Sequence, residues 1–484
     1  MTIENQLIAT EKRHSSFENE VRKQSIPACN AFQSSDDPLP ICFESLQSTT
    51  LSQSDNSLID LFPQSKSEHS LLEGKQSISE VKGKKVAILF SGGPAPGGHN
   101  VVVGVRTILG ADNTLYGIRK GPKGLIEGDL FEITMDDVNT VKNLGGFDYL
   151  GSDRTKIKTS EQFQKVKDTV TKYALDGLVV IGGDDSNTNA AFLAEELSDC
   201  GCQVIGVPKT IDGDLQVGSE VPISFGFDTA TKIYSEMVGN ILQDTPSSQK
   251  YWHFIKLMGR SASHVALEVA LQTKPMITLI SEEIEKEKKS LSEIVNTMSE
   301  VILQRSAKQL NYGVVVIPEG LIEFIPECKQ LISELNEKIG THQEELSNKT
   351  SEEKEKVLID KLSIESAQLL RSFPKSIKET LLMDRDAHGN LKVSQIPTEQ
   401  LLVEMVGNRI KEMQTNSAKY FGADQIDVSE DELRRCLTFE FQANSHFFGY
   451  EGRCGAPTQF DRTYTYNLGL IAGSLILDGK TGYM

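Results

Sequence analysis

The chain has 484 residues, too many for one ordinary hydrophobic core, so two packed lobes are expected. It carries 68 Asp and Glu against 50 Lys and Arg, a net charge of -18. That balance excludes a general nucleic-acid or anionic-membrane binder, which needs an excess of cations. No apolar run reaches membrane-spanning length. Glu4, Glu11, Glu18 and Glu20 oppose a signal or transit peptide. The seven cysteines show no metal or redox spacing, Cys200 and Cys202 being one residue short of a CxxC pair. The expectation is a cytoplasmic enzyme with reduced thiols.

Residues 1–80 are rich in Ser, Gln, Asp and Glu without sustained periodicity, which predicts a flexible or loosely docked tail. Ordered sequence opens with an apolar strand at 84–90, a Gly-rich loop (SGGPAPGGHN, 91–100) and an apolar helix over 101–109. Strand and helix patterns then alternate: strands at 176–181, 204–207, 251–257, 276–280 and 313–317, with helices over 186–197, from 263, and over 291–309. This rhythm predicts an α/β fold of two doubly wound Rossmann-like lobes with mainly parallel sheets. The expected lobes cover 81–245, with the donor and metal loops, and 246–320, with the acceptor loops. From 321 to 412 Glu and Lys dominate, and Leu331, Leu335 and Ile339 recur four apart, which predicts a helical insertion. Residues 413–484 are expected to complete the α/β core.

Two loops after apolar runs carry the chemistry. Gly182-Gly183-Asp184-Asp185-Ser186 follows one, and Pro208-Lys209-Thr210-Ile211-Asp212-Gly213-Asp214 follows the other. In a parallel sheet such loops open onto one crevice. Glycines let backbone N–H groups approach oxyanions, and an acid at a strand end suits Mg²⁺ held against phosphate oxygens. Asp212 is suited to act as a general base towards a sugar hydroxyl. Two structural alternatives stand beside this: Asp184, Asp185 or Ser186 as an ordinary helix cap, and Asp212-Gly213 as an Asx-turn. The first Gly-rich loop is neither a Walker A loop nor a Rossmann fingerprint.

Five motifs in order, SGGPAPGGHN, GGDDS, PKTIDGDL, MGRSASHVALE and GYEGRCG, with Pro318-Glu319-Gly320 before the last, resemble the phosphofructokinase family. Within it they resemble the long-form, pyrophosphate-dependent members, from residue 84 to the end. The resemblance implies that the α/β core is cut short at the C-terminus. The resemblance implies that Gly92 touches the phosphoryl donor, with Arg154 helping to clamp it, and that Asp184 holds the Mg²⁺ cofactor. It implies Asp212 as base on the 1-hydroxyl of fructose 6-phosphate, and Thr210, Ile211, Met258, Gly259, Arg260 and Glu319 as substrate contacts. Tyr450, Glu451 and Gly452 lead to Arg453, implied to grip the 6-phosphate. Lys250 and Tyr251 would reach a neighbouring subunit's site, making a homodimer, or a hetero-oligomer with a paralogous subunit, the minimal active unit. His99 and His264 are read as structural.

In ATP-using members a small residue stands where this chain has Asp185. A carboxylate there opposes an α-phosphate: two unit charges about 4 Å apart repel by roughly 4 kcal/mol at an effective dielectric of about 20. Lys209 would support the transferring phosphoryl group. The implied reaction moves a phosphoryl group from pyrophosphate to fructose 6-phosphate, reversibly, in glycolysis. Two rivals are a catalytically silent regulatory subunit, and the same chemistry on sedoheptulose 7-phosphate.

Overall fold

The computed structural model describes residues 15–32, 38–50, 61–63, 70–78, 81–216, 221–346, 349–383, 395–420 and 429–484. They form two units, each discontinuous in sequence. The first comprises Met1–Ile211, Leu215–Ala230 and Tyr450–Met484; the second, Asp212–Asp214 and Thr231–Gly449. The changeover at Ala230 falls inside a long helix, Phe227–Ser248, rather than at 245. The expected class is observed: α/β, with mainly parallel sheets and many helices.

In the first unit β1 (Ile41–Thr50) and β2 (Ser70–Ser77) form an antiparallel pair. A second sheet contains β3 (Lys85–Ser91), β4 (Thr114–Ile118), β5 (Leu130–Ile133), β6 (Ser152–Asp153), β7 (Gly177–Gly182), β8 (Gln203–Thr210) and β9 (Phe225–Gly226). Its order is β5-β4-β3-β7-β8-β9, with β6 also on β3, and only β4 with β5 is antiparallel. Every residue of β7 is buried, as is Val86–Phe90 of β3, because helices cover both faces. From β3 the chain returns through helix Gly98–Leu109 to β4 on one side. From β7 it returns through Asp184–Glu196 to β8 on the other. The strand order therefore reverses between β3 and β7, and at such a point an α/β sheet opens a crevice beyond its carboxyl ends.

Helix Gln459–Leu477 packs along Gly98–Leu109 at backbone contact. A Cβ on Gly104 would stand 2.2 Å from the Tyr466 carbonyl oxygen, and one on Gly469 would stand 2.3 Å from that of Val101. From the same C-terminal helix, buried Asp461 accepts the N–H groups of Gly226 at 2.9 Å and Thr229 at 2.8 Å, holding the start of helix Phe227–Ser248. Burial pushes the Asp461 carboxyl up, and these hydrogen bonds pull it back.

The described part of 1–80 is docked rather than flexible, the second of the two states expected. Helix Ser16–Arg22 buries Val21, and Asn143 donates to the carbonyls of Val21 and Gln24. Cys29 N–H reaches Asn467, and Phe43 N–H reaches Asp478. Phe32 and Ile41 are also buried. A few apolar anchors dock a segment whose average composition is polar.

The second unit holds β10 (Trp252–Leu257), β11 (Ile277–Thr278), β12 (Gly313–Pro318) and β13 (Ala443–Phe448), all parallel, in the order β11-β12-β10-β13. Its core runs without a break from Trp252, Phe254 and Val315 into Leu331, Leu335 and Ile339 of helix Pro326–Thr341, and on to Leu402 and Val406 of Thr398–Thr415. The helices between 321 and 412 thus share one core with the sheet. Strand β13 completes that sheet, and the strand expected over 276–280 shrinks to two residues. Among the described residues no helix is long and apolar enough to cross a membrane.

The helix contact yields a paired prediction. Gly469→Ala drives a methyl into backbone and is expected to cost about 1–3 kcal/mol of unfolding free energy. Gly239→Ala, in helix Phe227–Ser248 with nothing within 4 Å of the added carbon, is expected to stabilise by about 1 kcal/mol. Urea denaturation of the two variants and the parent checks both signs.

Candidate functional site

The first unit gathers a charged, glycine-lined edge. The ladder pairs Phe90 with Ile181 and Ile181 with Val207, so Gly92, Gly183 and Lys209 each stand two residues beyond one common level. Gly92 takes φ 84°, a left-handed conformation that favours glycine, and its N–H donates to Asp153 O at 3.0 Å. The Ser152 hydroxyl donates to the Gly92 carbonyl. The Lys209 ammonium lies 3.7 Å from where a Gly92 Cβ would stand, and Lys209 is only 8 % exposed. A β-carbon at 92 would meet that cation at ordinary contact distance, so it is the positive φ that favours glycine here.

Across the crevice, Asn187 fastens the second loop by donating to Gly182 O at 2.7 Å and Gly183 O at 2.9 Å. Gly183 is the helix N-cap and makes no side-chain capping bond. The helix begins at Asp184, two residues before the start expected, and Asp184 and Asp185 form its exposed first turn. The capping alternative therefore does not account for these acids. The Ser186 hydroxyl instead donates to Ser91 Oγ at 2.8 Å, joining the two loops. The helix dipole favours negative charge at this turn. Asp185 also accepts from Lys156 Nζ at 2.6 Å. Arg154 is exposed directly after β6, on the segment that binds Gly92.

Arg453 ends the short helix Tyr450–Arg453, in which Tyr450 and Glu451 are exposed and Gly452 is buried. Its guanidinium covers Gly93, where an added Cβ would lie 2.8 Å from Nη1. Sequence reasoning grouped Arg453 with the sugar contacts, whereas this guanidinium lies against the first Gly-rich loop. Thr210 closes β8 half-buried, and Ile211 is buried beside Gly226.

The second unit repeats the device. Its register sets Leu257, Pro318 and Phe448 side by side, so Met258, Glu319 and Gly449 leave their strands at one height. Met258 N–H donates to Phe448 O, and Glu319 N–H to Leu257 O, each at 3.0 Å. Gly259 takes φ 146° and donates its N–H to the buried Glu319 carboxylate at 2.9 Å. Arg260 N–H donates to Asp212 Oδ2 at 3.3 Å, its side chain exposed. His264 Nδ1 lies 3.0 Å from the Gly213 carbonyl, so it supports the Asp212 loop. Nearby, burial pushes the Glu323 carboxyl up, while Arg260 and Lys329 pull it down.

Asp212, Met258, Gly259, Arg260 and Glu319 thus come together within one unit. Lys250 and Tyr251 do not join them: both are exposed at the opposite end of β10, about 20 Å away along the strand. His99 is fully buried against Leu144 O and Phe90, and burial lowers its pKa, which fits a neutral packing role. Sequence reasoning missed Lys156 and assigned His264 no part in the Asp212 loop, because each acts through a partner distant in sequence; it also missed Asn187, whose partners are the nearby Gly182 and Gly183 carbonyls.

Among the described residues no three His, Cys, Asp or Glu side chains gather to hold a metal ion. The exposed Asp184 carboxylate fits a weaker demand, that of Mg²⁺, which leans on one or two carboxylates and completes its shell with water and phosphate oxygens.

The family model described as phosphofructokinase matches residues 85–358. The chain is 48% identical over 405 residues to the pyrophosphate--fructose 6-phosphate 1-phosphotransferase subunit beta 2 of Arabidopsis thaliana, covering 82% of this chain and 66% of that one. It is 47% identical over 415 residues to the pyrophosphate--fructose 6-phosphate 1-phosphotransferase of Treponema pallidum, covering 84% and 69%. The chain thus spans about two thirds of the length of these relatives. The crystal structure of a pyrophosphate-dependent phosphofructokinase from Nitrosospira multiformis superposes with a TM-score of 0.52 at 15% identity, over 82% of this chain and 78% of that one, a likeness of fold. With its family model matched across more than half its length, this chain belongs to the phosphofructokinase family.

Proposed function

We propose that the chain transfers a phosphoryl group reversibly from inorganic pyrophosphate to the 1-hydroxyl of D-fructose 6-phosphate, giving fructose 1,6-bisphosphate and phosphate. The observation that carries this reading is the first unit's edge, where Gly92, Gly183 and Lys209 share one level and Asp184 and Asp185 follow in the first helical turn. The names of the two relatives nearly half identical to it support the same chemistry.

In this reading Asp212 accepts the proton of the 1-hydroxyl as its oxygen bonds to phosphorus, and inorganic phosphate leaves. The backbone N–H of Arg260 orients that carboxylate. Glu319 fixes the Met258-Gly259-Arg260 turn through the Gly259 N–H, so substrate meets a pre-set backbone. Lys209, nearly buried beside Gly92, supplies fixed positive charge where negative charge develops on the transferring group. Asp184 would hold Mg²⁺, which when bound neutralises phosphate charge. Arg154 and Arg453 add planar donors for phosphate oxygens. Asp185 occupies the space that a nucleotide α-phosphate needs.

Phosphoanhydride is exchanged for a phosphate ester without an adenylate product, so the step runs in both directions and serves glycolytic or gluconeogenic flux. The exposed Lys250 and Tyr251, remote from Met258 along β10, are read as contributions to a neighbouring subunit's site. The partner is a second copy or a paralogous subunit, and the setting is the cytoplasm.

Turnover of purified protein with Mg²⁺ and fructose 6-phosphate, pyrophosphate against ATP, tests the reading. Rapid use of pyrophosphate and negligible use of ATP is expected. The opposite preference overturns the donor assignment, and silence with both donors returns the regulatory-subunit alternative. Asp185→Gly combined with Lys209→Gly is expected to raise ATP turnover above that of the parent; an unchanged ATP rate removes the role given to Asp185. Asp212→Asn is expected to lower kcat by about 10²–10⁴-fold with the KM for fructose 6-phosphate little changed, as steady-state kinetics would read.

A further inference from the structure

Asp185 poses a problem for the reading just given, on which this inference rests. A carboxylate that repels the α-phosphate of ATP also stands beside pyrophosphate, itself a polyanion. The structure contains an answer. Lys156 Nζ lies 2.6 Å from Asp185 Oδ1, and the lysine side chain is 32% exposed against 76% for the aspartate.

This is not a loose surface pair, because the backbone around the lysine is tied on both sides. Upstream, Asp153 O accepts the Gly92 N–H, and its side chain accepts the Thr155 N–H at 2.7 Å. Downstream, Ile157 is buried and bonded both ways to Asn189: its N–H donates to Oδ1 at 3.2 Å and its carbonyl accepts from Nδ2 at 2.9 Å. Asn189 stands four residues after Asp185 on the same helix, hence on the same face. The segment carrying Lys156 is therefore fastened to the first Gly-rich loop and to the helix that presents Asp185. The backbone under both residues is thus already placed, so forming the pair has only the two side chains left to order, the cost that limits exposed ion pairs.

We propose that Lys156 is a specificity-determining positioning residue: its ion pair holds the Asp185 carboxylate in place and offsets its charge. Pyrophosphate then meets a neutral pair, while the bulk of the pair still occupies the room a nucleotide requires. Lys156 acts through Asp185 and takes no part in bond making. Its effect falls on binding of the donor and not on the acceptor.

The test measures KM for pyrophosphate and for fructose 6-phosphate, and kcat, in Lys156→Met, Lys156→Arg, Asp185→Gly and the Lys156→Met/Asp185→Gly double variant. In the parent background Lys156→Met is expected to raise the pyrophosphate KM by about three- to tenfold, leaving the fructose 6-phosphate KM within about twofold. Lys156→Arg is expected to restore it, and in the Asp185→Gly background the rise is expected to vanish. An unchanged pyrophosphate KM, a rise shared by both substrates, or an equal rise in the Asp185→Gly background overturns the inference while leaving the donor assignment standing. A parent enzyme that ignores pyrophosphate overturns the donor assignment and this inference together.

Discussion

The hydrogen-bonded register of the parallel strands is the constraint on which the rest depends. Fully buried β3 and β7 leave no room for loops along the sheet faces, so polar chain emerges only at strand ends. Because Phe90, Ile181 and Val207 are paired across the ladder, Gly92, Gly183 and Lys209 arrive at one height. The second unit does the same for Met258, Glu319 and Gly449 through Leu257, Pro318 and Phe448. A slip of one residue in either ladder would turn each of these groups to the opposite face. The placement of the reactive groups is a by-product of how apolar strands satisfy their backbones.

What lies on this scaffold was legible from sequence to the extent that it was local. An apolar run followed by Gly-Gly-Asp-Asp or Lys-Thr-Ile-Asp identifies a strand end within a dozen residues, and the parallel α/β architecture follows from the alternation. The 3.6-residue period likewise exposed Leu331, Leu335 and Ile339 as a buried face. What escaped was set by tertiary partners. Whether residues 15–32 and 38–46 dock depends on Asn143, Asn467 and Asp478, far along the chain, which no average composition reports. Strand β13 finds its place only through pairing with β10, nearly two hundred residues earlier. The start of the helix at Asp184 follows from Gly183 taking the cap position and Asn187 closing over it.

Two of the less obvious residues are hydrogen-bonding supports for loops. Asn187 holds two carbonyls of the Gly-rich turn, and His264 lies against the carbonyl beside Asp212. Side-chain amides and imidazoles suit this task because they satisfy backbone acceptors that a turn leaves open. Glu319 does the reverse with its carboxylate, taking up the N–H of a glycine at φ 146°, a conformation almost closed to other residues. A buried carboxylate costs desolvation, and a charge-assisted hydrogen bond to a fixed amide offsets it.

Charge is arranged on a similarly short range. A chain of net charge -18 has no overall field that draws in polyanions. The Debye length in physiological salt is about 8 Å, so exposed charges elsewhere on the surface are largely silent at the crevice. What matters is the local set: the start of helix Asp184–Glu196, Lys209 under Gly92, Lys156 on Asp185, and Arg453 over Gly93. On the proposed reading, two aspartates can therefore stand at the mouth of the donor site without closing it. In that reading Asp184 meets the metal, and Asp185 is already paired with Lys156.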